Sequence, residues 1–213
     1  MEIAILIYER FTALDAVGPY EVLSRLPGAK VSFVAEQPGP VRTDTRQLTL
    51  VAETALAELS SPEIVLVPGG PGQAALMEDG PVHEWLRAAD AGSQWTTSVC
   101  TGSLILGAAG LLAGKRATSN WQALEQLGDL GAEVVDERVV FDAKYVTSAG
   151  VTAGIDMALV LAAKIAGEQV AQAIQLGIEY DPDPPLDAGS PRTAPPEIVE
   201  AVRARSRFVE HAA

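Results

Sequence analysis

The sequence predicts an α/β fold in which a doubly wound, mostly parallel β-sheet is covered by helices. Two apolar runs of strand length, Ile3 to Tyr8 and Ile64 to Val67, do not alternate with polar residues, which is typical of strands buried on both faces of a parallel sheet. Segments with apolar residues at helical spacing separate such runs and produce the βαβ order of these sheets. A glycine-rich turn and the cysteine follow two of the predicted strands, at the sheet edge where ligands of this fold class bind.

Before the cysteine, strand-like and helix-like segments alternate. They are a strand at 3–8, a helix at 14–23, a strand at 31–35, a polar turn-rich stretch at 38–47, a short edge hairpin at 48–51, a strand at 64–67, a helix at 81–91 and a strand that ends at Cys100. Pro27 and Gly28 mark the end of the first helix, because neither residue continues a helix well. In the second helix, the spacing of Trp85, Leu86 and Ala89 predicts one apolar face.

After the cysteine, the alternation continues and then stops. The predicted elements are a tightly packed helix with a turn and a return to the sheet over 107–118, a helix at 121–127, strands at 134–140 and 145–147 flanking a turn at 142–143, a helix at 152–166 and a charged helix at 197–209. Residues 180–196 combine prolines with acidic and small residues, which excludes regular structure there. We expect an extended arm that lies on the domain or on a partner subunit, with a mobile linker as the alternative.

The composition indicates one compact domain and excludes several kinds of partner. With 213 residues, of which 48% are hydrophobic, residues 1–213 are expected to form a single domain. The formal charge of -13 argues against nucleic acid and anionic membranes, because both attract basic surfaces. A single cysteine excludes an intramolecular disulfide and favours a reducing compartment. Because the N-terminus does not resemble a signal peptide and no apolar run approaches the roughly 20 residues of a membrane span, we expect a cytoplasmic protein.

Cys100 is the first candidate for chemistry. It lies where a β-branched and aromatic stretch gives way to small and apolar residues at helical spacing, and hence at a junction of strand and helix. The first N–H groups of a helix point toward a sulfur at such a junction, and their partial positive charge favours the thiolate. We therefore expect a reactive thiol with a lowered pKa. The alternative is a buried cysteine that only fills space.

A carboxyl group is a better candidate than an imidazole to carry protons for this cysteine. His83 lies in a predicted amphipathic helix and His211 lies beside the terminus, so both are expected at the solvated surface. Asp15 is set among apolar residues, and burial and a nearby thiolate raise the pKa of a carboxyl group, which can then hold and donate a proton. The alternative role of Asp15 is to cap the first helix.

The glycine-rich turn at 68–72, with the sequence PGGPG, also has two interpretations. Its glycines allow main-chain N–H groups to approach a reacting atom closely, and Gly70 and Thr101 are predicted to form a pair of donors for developing negative charge. Alternatively, the glycines only satisfy backbone angles that other residues do not adopt.

Five stretches of the chain carry a family resemblance. They are TSVCTGSLILGAAGLLAGKRAT around the cysteine, the early LDAVGPYEVL, the turn VPGGPG, the helix start GVTAGIDMAL and the tail EYDPDPPLDAGSPRTAP. Together they resemble the ThiJ/PfpI superfamily and, within it, the bacterial isocyanide hydratases. The resemblance implies a flavodoxin-like three-layer sandwich with a cysteine nucleophile elbow. It also implies a homodimer with the active site near the subunit interface.

The resemblance further implies an activity and a set of site residues. In the hydratases, a cysteine attacks the terminal carbon of an isocyanide to form a thioimidate, which water converts to an N-substituted formamide. Cys100 matches this nucleophile, and Asp15 matches the acid/base that exchanges protons with the substrate carbon and with water. The expected substrate-binding residues are Thr101, through its backbone N–H, and Gly69, Gly70, Asn120 and Gly150. No metal or organic cofactor is required, and the expected partner is a small-molecule isocyanide.

Two positions depart from the family pattern. Asn120 stands in the segment ATSNW, where the family is expected to place histidine, and this changes the hydrogen bonding around the pocket. The loop TSAGV at 147–151 is less glycine-rich than the corresponding family loop, which stiffens the backbone behind the nucleophile. Both departures leave Cys100 and Asp15 in place, and both bear on substrate choice.

Two other functions stay open beside isocyanide hydration. One is a cysteine enzyme of the same superfamily that acts on glyoxals, which the missing pocket histidine and the aspartate disfavour. The other is a non-catalytic domain, either a redox sensor that responds through a sulfinate at Cys100 or a ligand-binding domain like those of AraC-type regulators. A regulator carries a DNA-binding helix-turn-helix after this domain, and the length and acidic charge of the chain lead us to expect none.

Overall fold

The computed structural model describes residues 1–206 of the chain. Within them it has eleven strands, which are β1 (Glu2–Leu6), β2 (Lys30–Ala35), β3 (Gly39–Arg42), β4 (Thr49–Ala52), β5 (Thr54–Ala55), β6 (Ile64–Val67), β7 (Trp95–Val99), β8 (Arg116–Ala117), β9 (Glu133–Val134), β10 (Val139–Asp142) and β11 (Tyr145–Ser148). Seven of them form the central sheet in the order β10-β11-β7-β6-β1-β2-β5. Every neighbouring pair in this sheet is parallel except β10 with β11, so the predicted mostly parallel sheet is confirmed.

Helices flank the sheet in two groups. The α-helices of the described residues are α1 (Ala13–Leu23), α2 (Pro81–Gly92), α3 (Gly102–Ala108), α4 (Leu124–Asp129), α5 (Ala153–Ala166), α6 (Glu168–Gly177) and α7 (Pro196–Arg203). The helix α5 packs against α1, α6 and the sheet, and α3 packs against α2, α4 and the sheet. The predicted α/β sandwich of three layers is therefore confirmed.

The central strands are buried as their apolar runs predict. All four residues of β6 are buried, and Ile3 to Leu6 of β1 have no exposed surface. From β1 the sheet grows toward β2 on one side, whereas β6 and β7 extend it on the other side. Ligands of doubly wound sheets bind beyond the carboxyl ends of the strands at such a reversal. The direction in which the chain adds strands reverses between β1 and β6. Asp15 lies in the helix after β1, and the glycine-rich turn follows β6.

Several local predictions were wrong where the elements are short or polar. Gly39–Arg42, predicted within a turn-rich stretch, forms β3 and pairs antiparallel with β4. The strand β8 pairs with β9 in a separate two-stranded sheet and does not return to the central sheet. The predicted strand at 134–140 is divided between β9 and β10, and the helix predicted from residue 121 begins at Leu124. No predicted element corresponds to α6, whose buried residues are only Ala171 and Ile174.

The C-terminal part of the described chain has little regular structure before its last helix. Residues 180–195 contain no helix or strand, and α7 begins at Pro196 and ends at Arg203. The predicted final helix extends to residue 209, but residues 207–209 lie outside the described residues. Among residues 1–206, no helix combines the length and the hydropathy that a membrane crossing needs.

Two polar contacts attach the arm to the body of the domain. The Tyr180 hydroxyl donates a hydrogen bond to the Asp156 carboxylate at 3.2 Å, and the Arg192 guanidinium pairs with the Asp136 carboxylate at 2.8 Å. The arm therefore lies against its own domain at both points.

The prediction that His83 lies at the solvated surface was wrong. The side chain projects inward from α2 and is 1% exposed. Neither ring nitrogen has a hydrogen-bond partner among the described residues. The amphipathic pattern of the helix does not determine whether a single polar residue beside the apolar face is buried or exposed. In this helix His83 is buried. His211 lies outside the described residues.

Replacing His83 by leucine is expected to leave the free energy of unfolding unchanged or to raise it by about 1–2 kcal/mol, because the change removes two buried nitrogens that form no hydrogen bond. Leu86→Ala on the same helix deletes a fully buried apolar side chain and should lower the free energy by about 2–5 kcal/mol. Urea denaturation measures both. A loss well above 1 kcal/mol in His83→Leu, roughly the worth of one hydrogen bond, would contradict the expectation.

Candidate active site

Cys100 occupies a sharp turn between β7 and α3, as predicted. Its φ angle is +57°, a left-handed conformation that is uncommon for a residue with a side chain and costs on the order of 1–3 kcal/mol. Hydrogen bonds hold this conformation on both sides of the residue. The Cys100 N–H donates to the carbonyls of Ser148 and Ala149 at 3.1 and 3.2 Å, and its carbonyl accepts the hydroxyls of Ser119 and Ser103 at 3.0 and 3.1 Å.

Asp15 lies in the first turn of α1 and is fully buried. The N-cap position of this helix belongs to Thr12, so the alternative that Asp15 is the cap does not hold. Its Oδ2 atom instead accepts a hydrogen bond from the Gly69 N–H at 2.9 Å. A Cβ atom at position 69 would lie 2.5 Å from the Thr101 nitrogen and 3.0 Å from Asp15 Oδ2, so only glycine allows this approach.

The predicted donor pair of Gly70 and Thr101 does not form. The Gly70 N–H donates to the Thr101 hydroxyl oxygen at 3.0 Å, and the Thr101 N–H bonds to the sulfur of Cys100. Both donors are therefore occupied within the protein. Gly70 has a φ of +135°, and a Cβ atom there would lie 2.5 Å from the Thr12 nitrogen, so this glycine serves the backbone.

The sulfur of Cys100 is surrounded by donors, yet its pKa is raised. Burial, followed by the negative charge of Asp15, raises the pKa of the thiol far above its ordinary value. Hydrogen bonds from the N–H groups of Thr101 and Val151 and from the Asn120 side chain lower the pKa by less. The expectation of a lowered pKa was therefore wrong, because a helix N-terminus does not compensate a sulfur that is wholly removed from water beside a carboxylate.

Tyr8 is a further site residue, which the sequence pattern did not predict. It is 9% exposed, and its hydroxyl donates to the carbonyl of Pro68 at 2.9 Å. Burial, then the charge of Asp15, then that of Cys100, raises the pKa of Tyr8 well above its usual range. The phenol therefore lies close to both groups and stays neutral. The only signal in the sequence is its position at the end of the first predicted strand.

Asn120 occupies the position where the resemblance predicts histidine, and its orientation is fixed by its neighbours. Its Oδ1 atom accepts the N–H of Gln122 at 3.0 Å, which leaves the amide nitrogen for the sulfur. A Cβ atom at Gly150 would lie 2.7 Å from this nitrogen. Gly150 is thus required for the amide to reach Cys100, and Asn120 acts on the sulfur as a donor only.

A cavity of about 270 Å³ adjoins the cysteine. We call the part lined by Asn120, Gly150 and Val151 the inner end, because Asn120 is buried and both Asn120 and Val151 bond to the sulfur, and the part lined by the more exposed arm residues 189–192 the outer end. Cys100 has no exposed surface. Because Asn120 and Val151 both bond to the sulfur and line the cavity, the sulfur lies directly behind this inner wall.

The structure brings most of the predicted site residues together. Direct hydrogen bonds or charge interactions link five of them, which are Cys100, Asp15, Thr101, Gly69 and Asn120. Gly150 lies against Asn120, and the N–H of Gly70 donates to the hydroxyl of Thr101. Over residues 1–206, no group of three or more histidine, cysteine, aspartate or glutamate side chains is placed to hold a metal ion. The chemistry available to this arrangement is nucleophilic attack by sulfur with proton transfer through a carboxyl group.

Comparisons with known proteins agree with this architecture. Residues 1–164 match the DJ-1/PfpI family. An isonitrile hydratase of Pseudomonas putida is 44% identical over 97% of this chain and 90% of its own length, and the protein dj-1beta of Drosophila melanogaster is 29% identical over 72% of this chain and 84% of its own. A crystal structure of a ThiJ/PfpI family protein from Pseudomonas syringae superposes with a TM-score of 0.93 at 39% identity and covers 96% of this chain and 85% of that one.

The raised pKa of Cys100 predicts how the thiol titrates. In the parent protein, thiolate absorbance should show no inflection near the ordinary thiol pKa of about 8.5. Asp15→Asn should shift the inflection to lower pH, because it removes the negative charge that opposes a second one while an amide oxygen still accepts from Gly69. Asp129→Asn, an exposed control, should behave as the parent. If the inflection of Asp15→Asn lies at the same pH as that of the parent, the charge of Asp15 does not raise the pKa of Cys100.

The hydrogen bond from Gly70 to Thr101 predicts a difference between two substitutions. Thr101→Val leaves a buried N–H without an acceptor and should lower the free energy of unfolding by about 1–3 kcal/mol. Thr101→Ser keeps the hydroxyl and loses one methyl group, which costs about 0.8 kcal/mol. Urea denaturation of both variants measures the difference. Equal stability of the two would contradict a structural role of the hydroxyl.

Proposed function

Since the chain belongs to the DJ-1/PfpI family, we propose that it is an isocyanide hydratase, a lyase without a cofactor that converts an isocyanide and water to an N-substituted formamide. Isonitrile is another word for isocyanide, so the name of the Pseudomonas putida relative supports this activity. The observation that carries the proposal is the buried pair of Cys100 and Asp15 behind the inner end of a cavity. Such a pair offers a nucleophile and a proton carrier without an imidazole.

The first step adds the thiol across the terminal carbon of the isocyanide. As Sγ of Cys100 bonds to this carbon, its proton passes to the Asp15 carboxylate, which delivers it to the same carbon. The product is a thioimidate, and no proton is gained or lost overall. The raised pKa of Cys100 is compatible with this step, because the resting thiol itself supplies the proton that the carbon needs.

The second step hydrolyses the thioimidate. Asp15, again a carboxylate, takes a proton from water as the oxygen bonds to the thioimidate carbon, and it passes this proton to the substrate nitrogen. As the carbon–sulfur bond breaks, the remaining proton of the added oxygen passes through Asp15 to sulfur, so the formamide leaves and both the thiol and the carboxylate are restored. One water molecule is consumed, and its atoms appear in the product, so the cycle balances.

The groups around the sulfur favour both bond-making and bond-breaking. The N–H groups of Thr101 and Val151 and the Asn120 amide stabilise negative charge that develops on sulfur as its proton leaves and when sulfur departs from the carbon. The Gly69 N–H holds Asp15 through Oδ2. Because Cys100 has no exposed surface, the isocyanide carbon reaches Sγ only when the wall formed by Asn120 and residues 150–151 opens.

The proposed enzyme is a homodimer of single-domain chains in the cytoplasm. The homodimer is proposed from the resemblance to the hydratases, and the large apolar side chains exposed on the described surface, among them Leu176 (82%), Leu186 (75%) and Val51 (56%), are the positions at which to test for the contact. A lone cysteine that must stay reduced for catalysis suits a reducing compartment.

The activity is tested by mixing the purified protein with an alkyl isocyanide and following formamide by chromatography. The parent should turn over, Cys100→Ala should lose all turnover, and Asp15→Asn should lose at least about 100-fold, because an amide cannot carry the proton. Asp129→Asn, an exposed aspartate outside the site, should keep the parent rate.

Absence of formamide with the parent would overturn the proposal. Equal rates for the parent, Cys100→Ala and Asp15→Asn would overturn the role of the pair. Turnover of a glyoxal in a parallel assay, without turnover of the isocyanide, would favour the glyoxal-processing alternative.

A further inference from the structure

The cavity beside Cys100 has two chemically different ends. Its inner end, at Asn120, Gly150 and Val151, is where the sulfur lies. Its outer end is lined by charged and polar groups, among them Asp136, Arg138 and Arg192. An isocyanide that reacts at Cys100 must point its terminal carbon inward, so its substituent occupies the outer end.

We infer that the substrate is a small isocyanide whose substituent carries an uncharged hydrogen-bonding group, such as a hydroxyl or an amide, and that Arg192 and Asp136 recognise this group. That the substrate contains an isocyanide group rests on the proposed function. The nature of the substituent follows from the groups that line the outer end of the cavity.

A polar substituent fits because removing water from the outer end costs free energy of desolvation. The Arg192 and Asp136 side chains are 67% and 68% exposed and form an ion pair at 2.8 Å. A hydrocarbon placed against them displaces water from a charged donor and acceptor and returns no hydrogen bond. A hydroxyl or an amide both donates and accepts, and it replaces the displaced water on both partners. Because both side chains stay about two-thirds exposed to water, the preference over an analogue that lacks the polar group is modest.

An uncharged group fits because the charges at the outer end cancel. The carboxylates of Asp136 and Glu137 accompany the guanidinium groups of Arg138 and Arg192. Glu137 also faces Arg116 at 3.6 Å, and Arg138 pairs with Asp156. A cationic or anionic substituent therefore meets groups of its own sign as well as the opposite one. The volume of about 270 Å³ restricts the substrate to a small molecule.

The arm supplies the selective part of this wall. Residues 189–192 line the outer end, and the ion pair between Arg192 and Asp136 fixes the arm beside the cavity. The ion pair is exposed, and exposed ion pairs contribute about 0–1 kcal/mol, so a ligand can insert between the partners at little cost. The segment between the last two helices thus takes part in substrate binding although it is remote from Cys100 in the sequence.

The test compares 3-hydroxypropyl isocyanide with n-butyl isocyanide, which differ only in a terminal hydroxyl in place of a methyl group. For the parent, kcat/KM should be about 3- to 10-fold higher for the hydroxyl compound, mainly through a lower KM. In the double variant Arg192→Ala with Asp136→Ala, the ratio should fall to about 1. The control double variant, Arg87→Ala with Asp79→Ala, removes an exposed ion pair on another part of the surface and should keep the parent ratio.

A second measurement does not depend on turnover. Calorimetric binding of N-(3-hydroxypropyl)formamide and N-butylformamide to Cys100→Ser should show the same preference. Equal or reversed preference in the parent by both measurements would overturn the inference, and an unchanged ratio in the Arg192/Asp136 variant would overturn the assignment to that pair. Tighter binding of the hydroxyl compound without turnover of either isocyanide would overturn the proposed function and support the polar selectivity of the cavity.

Discussion

The site depends on the burial of a thiol and a carboxyl group side by side. Cys100 and Asp15 both have no exposed surface, and the negative charge of Asp15 adds to burial in raising the pKa of Cys100. In such surroundings two negative charges are far more costly than one, so we expect the pair to hold one proton between them at neutral pH. A shared proton is what an addition to an isocyanide carbon needs, because the carbon must gain a proton as it gains sulfur. The same burial that keeps the thiol protonated therefore suits it to this reaction.

The fold provides this burial by bringing three strand ends together. The residues after β1, β6 and β7 meet at the reversal of the sheet, and there Gly69 approaches Asp15 and Thr101 closely enough that no side chain fits. The strained backbone of Cys100 is held by the carbonyl groups of Ser148 and Ala149 and by the hydroxyl groups of Ser103 and Ser119. Strain and close packing are concentrated at this one edge, and the two central strands behind it, β1 from Ile3 to Leu6 and all of β6, are apolar and buried. The stability of the sheet offsets the unfavourable conformation of the site.

The sequence was sufficient to predict features that depend on local pattern. Continuous apolar runs predicted the buried parallel strands, the change of spacing at Cys100 predicted the turn from strand to helix, and the apolar neighbours of Asp15 predicted a buried carboxyl group. Features that depend on contacts between distant segments were not predictable in the same way. The pKa of Cys100 is set by how completely the loops around Asn120 and Val151 cover the sulfur, and the N–H of Gly70 is taken by a threonine hydroxyl 31 positions away. The burial of His83 likewise follows from the packing of α2 and not from its own sequence.

The central claim is that the resting pair consists of a protonated thiol and a carboxylate. Infrared difference spectroscopy between the parent protein and Cys100→Ala at neutral pH observes the S–H stretching band of this cysteine directly, since the chain has a single cysteine. We predict that the band is present in the resting protein. Absence of the band before any substrate is added would mean that the sulfur rests as a thiolate, which would contradict the account.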